Sequence, residues 1–200
     1  MGSALLKFHQ VTLVRGLQVV VQDLDMRLEP GQILAIRGEN GAGKTSVLRA
    51  GAHLLTPFSG QVTWSPHAHV RYLGHDLALK RDQRPQDILD PAALADWALR
   101  DLAHVPLAYL SAGQQKRVAL AHRCRPGANL WLMDEPFANL DTGQQHRLRE
   151  VLQRHSAAGG AALCSVHGDE LPGPTLRLAG GRAHVTEGQT HRMGGQAHGL

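Results

Sequence analysis

The chain has few cysteines, and the two it has, Cys124 and Cys164, match no metal, redox or haem-attachment spacing. That excludes a disulfide framework and reads both as small buried hydrophobes of a reducing compartment. Long apolar runs are missing too: none approaches the roughly 20 residues of a membrane span. The first residues lack the apolar core of a signal peptide, so a cytosolic protein is expected. There is no long basic block and no RNA-binding aromatic motif beside the modest net charge of +4, and nucleic-acid binding is therefore not expected. A mildly basic surface suits a polyphosphate ligand or the face of an anionic membrane. What remains, at 200 residues without an internal repeat, is one domain, with or without a small insert, and a sizeable core.

Apolar runs bounded by turn residues recur along the chain: "ALLKF", "QVVVQDLDMRL", "QILAIRG", "GQVTW", "HVRYLG", "NLWLMDEP", "AALCSVHG" and "TLRLAGG". These read as strands. Helical patterns fall between some of them at 44–53, 111–123 and 142–156. Strand-helix alternation around continuous apolar strands predicts an α/β sheet sandwiched by helices. Residues 85–107, rich in Ala and Leu and without a strand candidate, read as a small helical insert. After Gly188 the sequence loses its periodicity and reads as a frayed tail.

Directly after the strand "QILAIR" comes "GENGAGKT", residues 38–45, which fits G-x-x-x-x-G-K-[ST] with a strand before and a helix after. The glycines let backbone N–H groups turn inward around phosphate oxygens, and the following helix adds its positive end. Lys44 reaches for the β and γ phosphates, and the Thr45 hydroxyl suits magnesium. A second apolar strand, "NLWLMDEP", delivers Asp134 and Glu135 at its carboxyl end, where ligands sit in open α/β sheets. Asp134 suits the magnesium shell. Glu135 is then left to orient the attacking water or accept its proton. A third strand, "AALCSV", ends at His167, whose imidazole is placed to sense a γ-phosphate. The chain has 13 histidines, and His67, His69, His191 and His198 carry no such context.

One more stretch, "LSAGQQKRVALAHR" at 110–123, begins as a helix with the S-x-x-Q spacing of a capping box, Ser111 to Gln114. Small residues surround the cap, no acid follows in the first turn, and two basic residues stand just behind it. A bare helix N-terminus of this kind suits an anion as well as a structural cap.

With the phosphate loop, the Asp-Glu strand end, the strand-end histidine and "LSAGQ" all present, the chain resembles the nucleotide-binding subunits of ABC transporters over roughly residues 5–182. The resemblance implies an α/β P-loop NTPase core of the ABC ATPase type. It also implies an antiparallel β subdomain and a shortened helical subdomain at about 80–123, the domain as a whole spanning 1–187 with a disordered tail at 188–200. It assigns Gly38, Glu39, Asn40, Gly41, Ala42, Gly43, Lys44, Thr45 and Ser46 to the nucleotide, and Thr45 and Asp134 to magnesium. Glu135, His167 and Lys44 become the catalytic group. "LSAGQ" looks like the family's signature, so that Ser111, Ala112, Gly113 and Gln114 face the ATP of a second ATPase subunit, while "ANLD" makes Asp141 the D-loop aspartate. The implied cofactors are ATP and Mg2+. The implied partners are a second copy and integral membrane transporter subunits, at the cytoplasmic face of the inner membrane and peripheral to it. Within the family, "LSAGQQKRVALA", "YLGH", "EPFANLD" and the short length are similar to the haem-export ATPase subunits of cytochrome c maturation.

Three departures stand out. The usual glutamine after "HVRYLG" is replaced in "GHDLALK", where Asp76 stands as a further candidate for magnesium or water. The insert is short for the family. No aromatic occupies the first hairpin, "VTLVRGLQVVV", for adenine to stack on; Arg15 offers a guanidinium in its place or is a solvated turn residue. Two rival readings remain: an ABC ATPase for another cargo, such as lipoprotein or small solute, and a non-catalytic nucleotide-binding assembly module. The histidines of the tail, with "HRM" at 191–193, raise haem binding by the chain itself, against the simpler reading of solvated side chains.

Overall fold

The computed structural model describes residues 4–168 and 170–186, so the tail at 188–200 and its histidines lie outside the described residues. Nine strands appear among the described residues: β1 (Leu6–Arg15), β2 (Gln18–Leu28), β3 (Ile33–Arg37), β4 (Ser59–Trp64), β5 (Val70–Leu73), β6 (Leu130–Met133), β7 (Ala161–Ser165), β8 (Thr175–Ala179) and β9 (Arg182–Thr186). They form one sheet in the order β4-β1-β2-β9-β8-β3-β7-β6-β5. From β8 to β5 the ladders are parallel. At the other end, β4, β1 and β2 pair antiparallel, which gives the sheet the mixed character expected of the ABC ATPase fold.

The central strands are buried on both faces, which is why they read as unbroken apolar runs. On β6, Leu130 and Leu132 join a core with α1 (Lys44–Gly51) and the antiparallel strands, whereas Trp131 and Met133 face the opposite core. That second core holds α4 (Ala112–Arg123), α5 (Thr142–Ala157) and the insert. Cys164 is fully buried there, and desolvation pushes its thiol up to about 12, so it is inert as the composition suggested.

The insert is helical only in fragments: α2 (Pro85–Ile88), α3 (Pro91–Asp96) and two 3-10 turns, Arg100–Leu102 and Leu107–Tyr109. Proline opens both short helices, and Asp90 caps the second by accepting from Ala93 N at 2.7 Å. Each proline also forces the preceding residue out of the helical region, so no long helix can run through. Leu94, Trp97, Leu99 and Leu107 nevertheless reach the core beside α4. Strand β9 was not anticipated. It pairs antiparallel with β8 across Gly180 and Gly181, both at positive φ, a two-residue hairpin turn whose Gly-Gly signal is present in the sequence.

Candidate active site

The parallel strands end on one side of the sheet, and their ends gather the predicted residues. Residues 38–43 curl between β3 and α1, with Gly41 at φ 84° and Gly43 at φ 100°, backbone that an L side chain resists. Gly43 has no side-chain cap to offer α1 and no acid follows in the first turn, so the helix presents an open positive end. Lys44 is 6% exposed; its Nζ donates back across the loop to Gly38 O at 2.8 Å and Glu39 O at 3.1 Å. Two of its three protons hold the loop's shape. The third is left for a ligand.

Asp134 follows β6 and is almost fully buried. Both its carboxylate oxygens are satisfied: Thr45 Oγ1 donates to Oδ2 at 2.7 Å and Ser165 Oγ donates to Oδ1 at 2.6 Å. Glu135 comes next, at φ 46°. Its N–H donates to the same Ser165 hydroxyl at 2.8 Å, and its Oε1 meets His167 Nε2 at 2.7 Å. A carboxylate only accepts, so Nε2 carries the proton in this pair. The structure thus joins Thr45, Asp134, Glu135 and His167 through Ser165, with Lys44 next to Thr45 and turned back on its own loop.

Ser165 is the residue that sequence reading missed. It closes β7, whose Cys164 pairs with Met133 of β6, and this register sets it beside Asp134. Its only sequence signal is a polar residue ending an otherwise apolar strand. Lys116 was missed as well: it is 7% exposed, with Nζ 3.5 Å from Asp134 O, and burial pushes its ammonium pKa down while Asp134 and Glu135 pull it up.

The site opens into two clefts. One, of about 1130 Å³, runs from the phosphate loop past His167 to Gln18, Val19 and Arg177. Val19 and Val20 of the first hairpin belong to its lining; Arg15 does not, and lies exposed at the hairpin turn. The second, of about 500 Å³, contains Asp76, Lys116, Glu135 and Asn139. Asp76 shares this cleft with Glu135, but its Oδ1 accepts from Ala78 N at 3.0 Å and so shapes its own loop.

The capping box at the start of α4 is formed as its spacing predicts. Ser111 Oγ accepts from Gln114 N at 3.3 Å, and Gln114 Oε1 accepts from Ser111 N at 2.8 Å. Gly113 faces the loop before α5: a Cβ there would lie 2.6 Å from Asn139 O, closer than any real side chain comes. That contact explains why the second small residue of "LSAGQ" must be glycine while Ala112 is tolerated. Asp141 caps α5 by accepting from Gln144 N at 2.8 Å.

Among the described residues no group of three or more His, Cys, Asp or Glu could hold a metal unaided. Thr45 Oγ1 and Asp134 Oδ2 are hard oxygen donors already in contact, a pair that fits magnesium when phosphate oxygens complete the shell. No described helix is long and apolar enough to cross a membrane.

Comparison with known proteins agrees with this geometry. The profile of the family described as ABC transporter matches residues 21–138. The cytochrome c biogenesis ATP-binding export protein CcmA of Bordetella bronchiseptica is 40% identical over 191 residues, covering 83% of this chain and 84% of its own. CcmA of Rhodobacter capsulatus is 35% identical over 201 residues, with 94% of each chain covered. Among solved structures, an ATP-binding subunit of an ABC transporter superposes with a TM-score of 0.82 at 20% identity, over 92% of this chain and 90% of that one. A dimeric ATP-binding cassette in a post-hydrolysis state, bound to ADP and Pi, gives 0.80 at 16% identity, over 91% and 98%. At such identities these two speak for the fold alone. The family profile and the extended identity with the CcmA proteins decide the rest: the chain belongs to the ABC transporter family, as one of its ATP-binding ATPase subunits.

Proposed function

We propose that this subunit hydrolyses ATP as a homodimer docked on integral membrane subunits, and that the cycle energises haem export or release of a haem-loaded chaperone in cytochrome c maturation. The carrying observation is the network in which Thr45 and Asp134 meet on one side of Ser165 and Glu135 and His167 on the other. Residues 38–46 cradle the phosphates by backbone N–H groups and the end of α1, and Lys44 adds its remaining proton. Thr45 and Asp134 would hold Mg2+ with the nucleotide, and the ion would supply charge neutralisation on the phosphate oxygens. Glu135 orients a water and accepts its proton as the water oxygen attacks the γ-phosphorus. The bond to the bridging oxygen breaks, leaving ADP and inorganic phosphate. His167 holds Glu135 in place and faces the γ-phosphate.

Ser111, Ala112, Gly113 and Gln114 stand at an N-terminus that nothing in this subunit's own phosphate loop needs. They meet the γ-phosphate in the phosphate loop of a second copy, and Asp141 lies at that interface. The names of the CcmA relatives support the cytochrome c role, and the subunit works peripherally, at the cytoplasmic face of the membrane that holds its partners.

Glu135→Gln tests the mechanism. The variant is expected to bind ATP, lose turnover and accumulate as an ATP-bound dimer by size-exclusion chromatography; near-normal hydrolysis would refute the role of Glu135. Complementation of a bacterium lacking its own CcmA, scored by haem staining of c-type cytochromes, tests the cargo. Capture of the native membrane partners distinguishes it from lipoprotein or solute export.

A further inference from the structure

Glu135 adopts φ 46°, a backbone conformation that residues with a Cβ occupy at a cost. Something must hold it there. The peptide between Asp134 and Glu135 is gripped at both edges: its N–H donates to Ser165 Oγ at 2.8 Å, and its carbonyl oxygen faces Lys116 Nζ at 3.5 Å. At that distance the hydrogen bond is long, so the pull is chiefly that of a buried cation on a carbonyl dipole with two carboxylates close behind. A lysine is rarely buried without compensation, and Lys116 at 7% exposure finds it in this carbonyl and in the field of Asp134 and Glu135.

Lys116 also belongs to α4, five residues beyond Ser111 and about 7.5 Å along the helix axis. The same rigid element therefore carries both the cap that faces the partner's nucleotide and the cation that faces this subunit's own strand end. Gln115 Nε2 anchors this stretch of helix to the insert by donating to Leu107 O and Leu110 O.

We propose that Lys116 is a positioning residue which, with Ser165, clamps the Asp134–Glu135 peptide in its left-handed turn, and which thereby couples seating of the partner's ATP at Ser111 to the aim of Glu135. The proposal rests on the ATPase reading above. The role of Lys116 is indirect. It acts through the peptide, and a shift of α4 along or about its axis changes its distance from the carbonyl.

The test uses the full chain. Lys116→Met keeps the apolar stem and removes the ammonium; Lys116→Arg keeps the charge. Losing a charge-assisted contact predicts a kcat lowered about tenfold or more by Lys116→Met, with the KM for ATP within about twofold of wild type, and recovery of most of the rate by Lys116→Arg. In the Glu135→Gln background, where hydrolysis is already lost, Lys116→Met is expected to leave the ATP-bound dimer intact. If Lys116→Met does not fold, Lys116→Gln takes its place with the same split between kcat and KM. Wild-type kcat in the variant overturns the clamp. So does loss of the ATP-bound dimer in the double variant, or failure of arginine to rescue, because either marks a merely structural lysine. A wild-type chain that neither binds nor hydrolyses ATP would fail before any Lys116 variant is compared, and would overturn the ATPase reading itself.

Discussion

Ser165→Ala isolates the part of the site that the sequence did not announce. The hydroxyl is fully buried and makes two bonds at once, donating to Asp134 Oδ1 at 2.6 Å and accepting from Glu135 N at 2.8 Å. A hydrogen bond to a buried carboxylate contributes about 1.5–3 kcal/mol, and the Glu135 N–H, on a residue that solvent reaches, adds about 0.5–1 kcal/mol. Together the loss comes to about 3 kcal/mol. For a chain of this length that corresponds to a melting temperature lower by about 9 °C. The removed oxygen leaves too small a void to add much, and Thr45 still satisfies Asp134 Oδ2. Thermal unfolding by circular dichroism, with urea denaturation as a second measure, reads the change. Magnesium-dependent ATPase activity should fall in parallel, since Asp134 and Glu135 both lose an anchor. A loss of less than about 1 kcal/mol would show that water or another donor serves Asp134 as well, and the two-sided role of Ser165 would be wrong.

Three other outcomes follow from the same geometry. Gly113→Ala drives a methyl group to 2.6 Å from Asn139 O, so the loop before α5 must move; a stability loss of about 1–3 kcal/mol by urea denaturation and weaker ATP-dependent dimerisation are expected, and a neutral result would break the link between signature helix and loop. Thr45→Val keeps the shape but leaves Asp134 Oδ2 without its donor; calorimetry should show ATP affinity reduced in the presence of magnesium and little changed in its absence. His155 is stacked on Trp131 with ring centroids 3.6 Å apart, and burial pushes its pKa below the ordinary 6.5. The unfolded chain therefore takes up a proton before the folded one does, so this contribution to stability is complete above about pH 6.5 and declines as the pH falls below it. His155→Gln should flatten that decline in melting temperature, and an unchanged pH slope would refute the assignment.

Most of the fold was legible because it is written in local pattern. Continuous apolar runs marked the parallel strands, which are buried on both faces, and the glycine-rich loop between strand and helix marked the candidate phosphate site. The S-x-x-Q spacing predicted a cap that forms as expected. The insert was legible as helical but not as fragments, although Pro85 and Pro91 were in view, because a composition rich in Ala and Leu outweighs two prolines until the chain's path is known. Strand β9 was passed over because its five residues, RAHVT beyond the Gly-Gly turn, alternate polar and apolar but include only one β-branched apolar residue.

The sequence by itself determined the candidate chemistry: which loop has the form of a phosphate cradle, which strand end carries carboxylates and which strand ends in a histidine. Each of those signals is local, a motif of a few residues at one strand end, where spacing alone dictates its own geometry. Only the tertiary structure decided how the parts are held. That Ser165 serves both Asp134 and Glu135 depends on the register of β7 against β6. The place of Lys116 behind the Asp134 carbonyl depends on how α4 packs over the strand end, and the need for glycine at 113 depends on the path of a loop more than twenty residues away. Such contacts join segments distant in the chain. They follow from the packing of whole elements, and no local spacing encodes them.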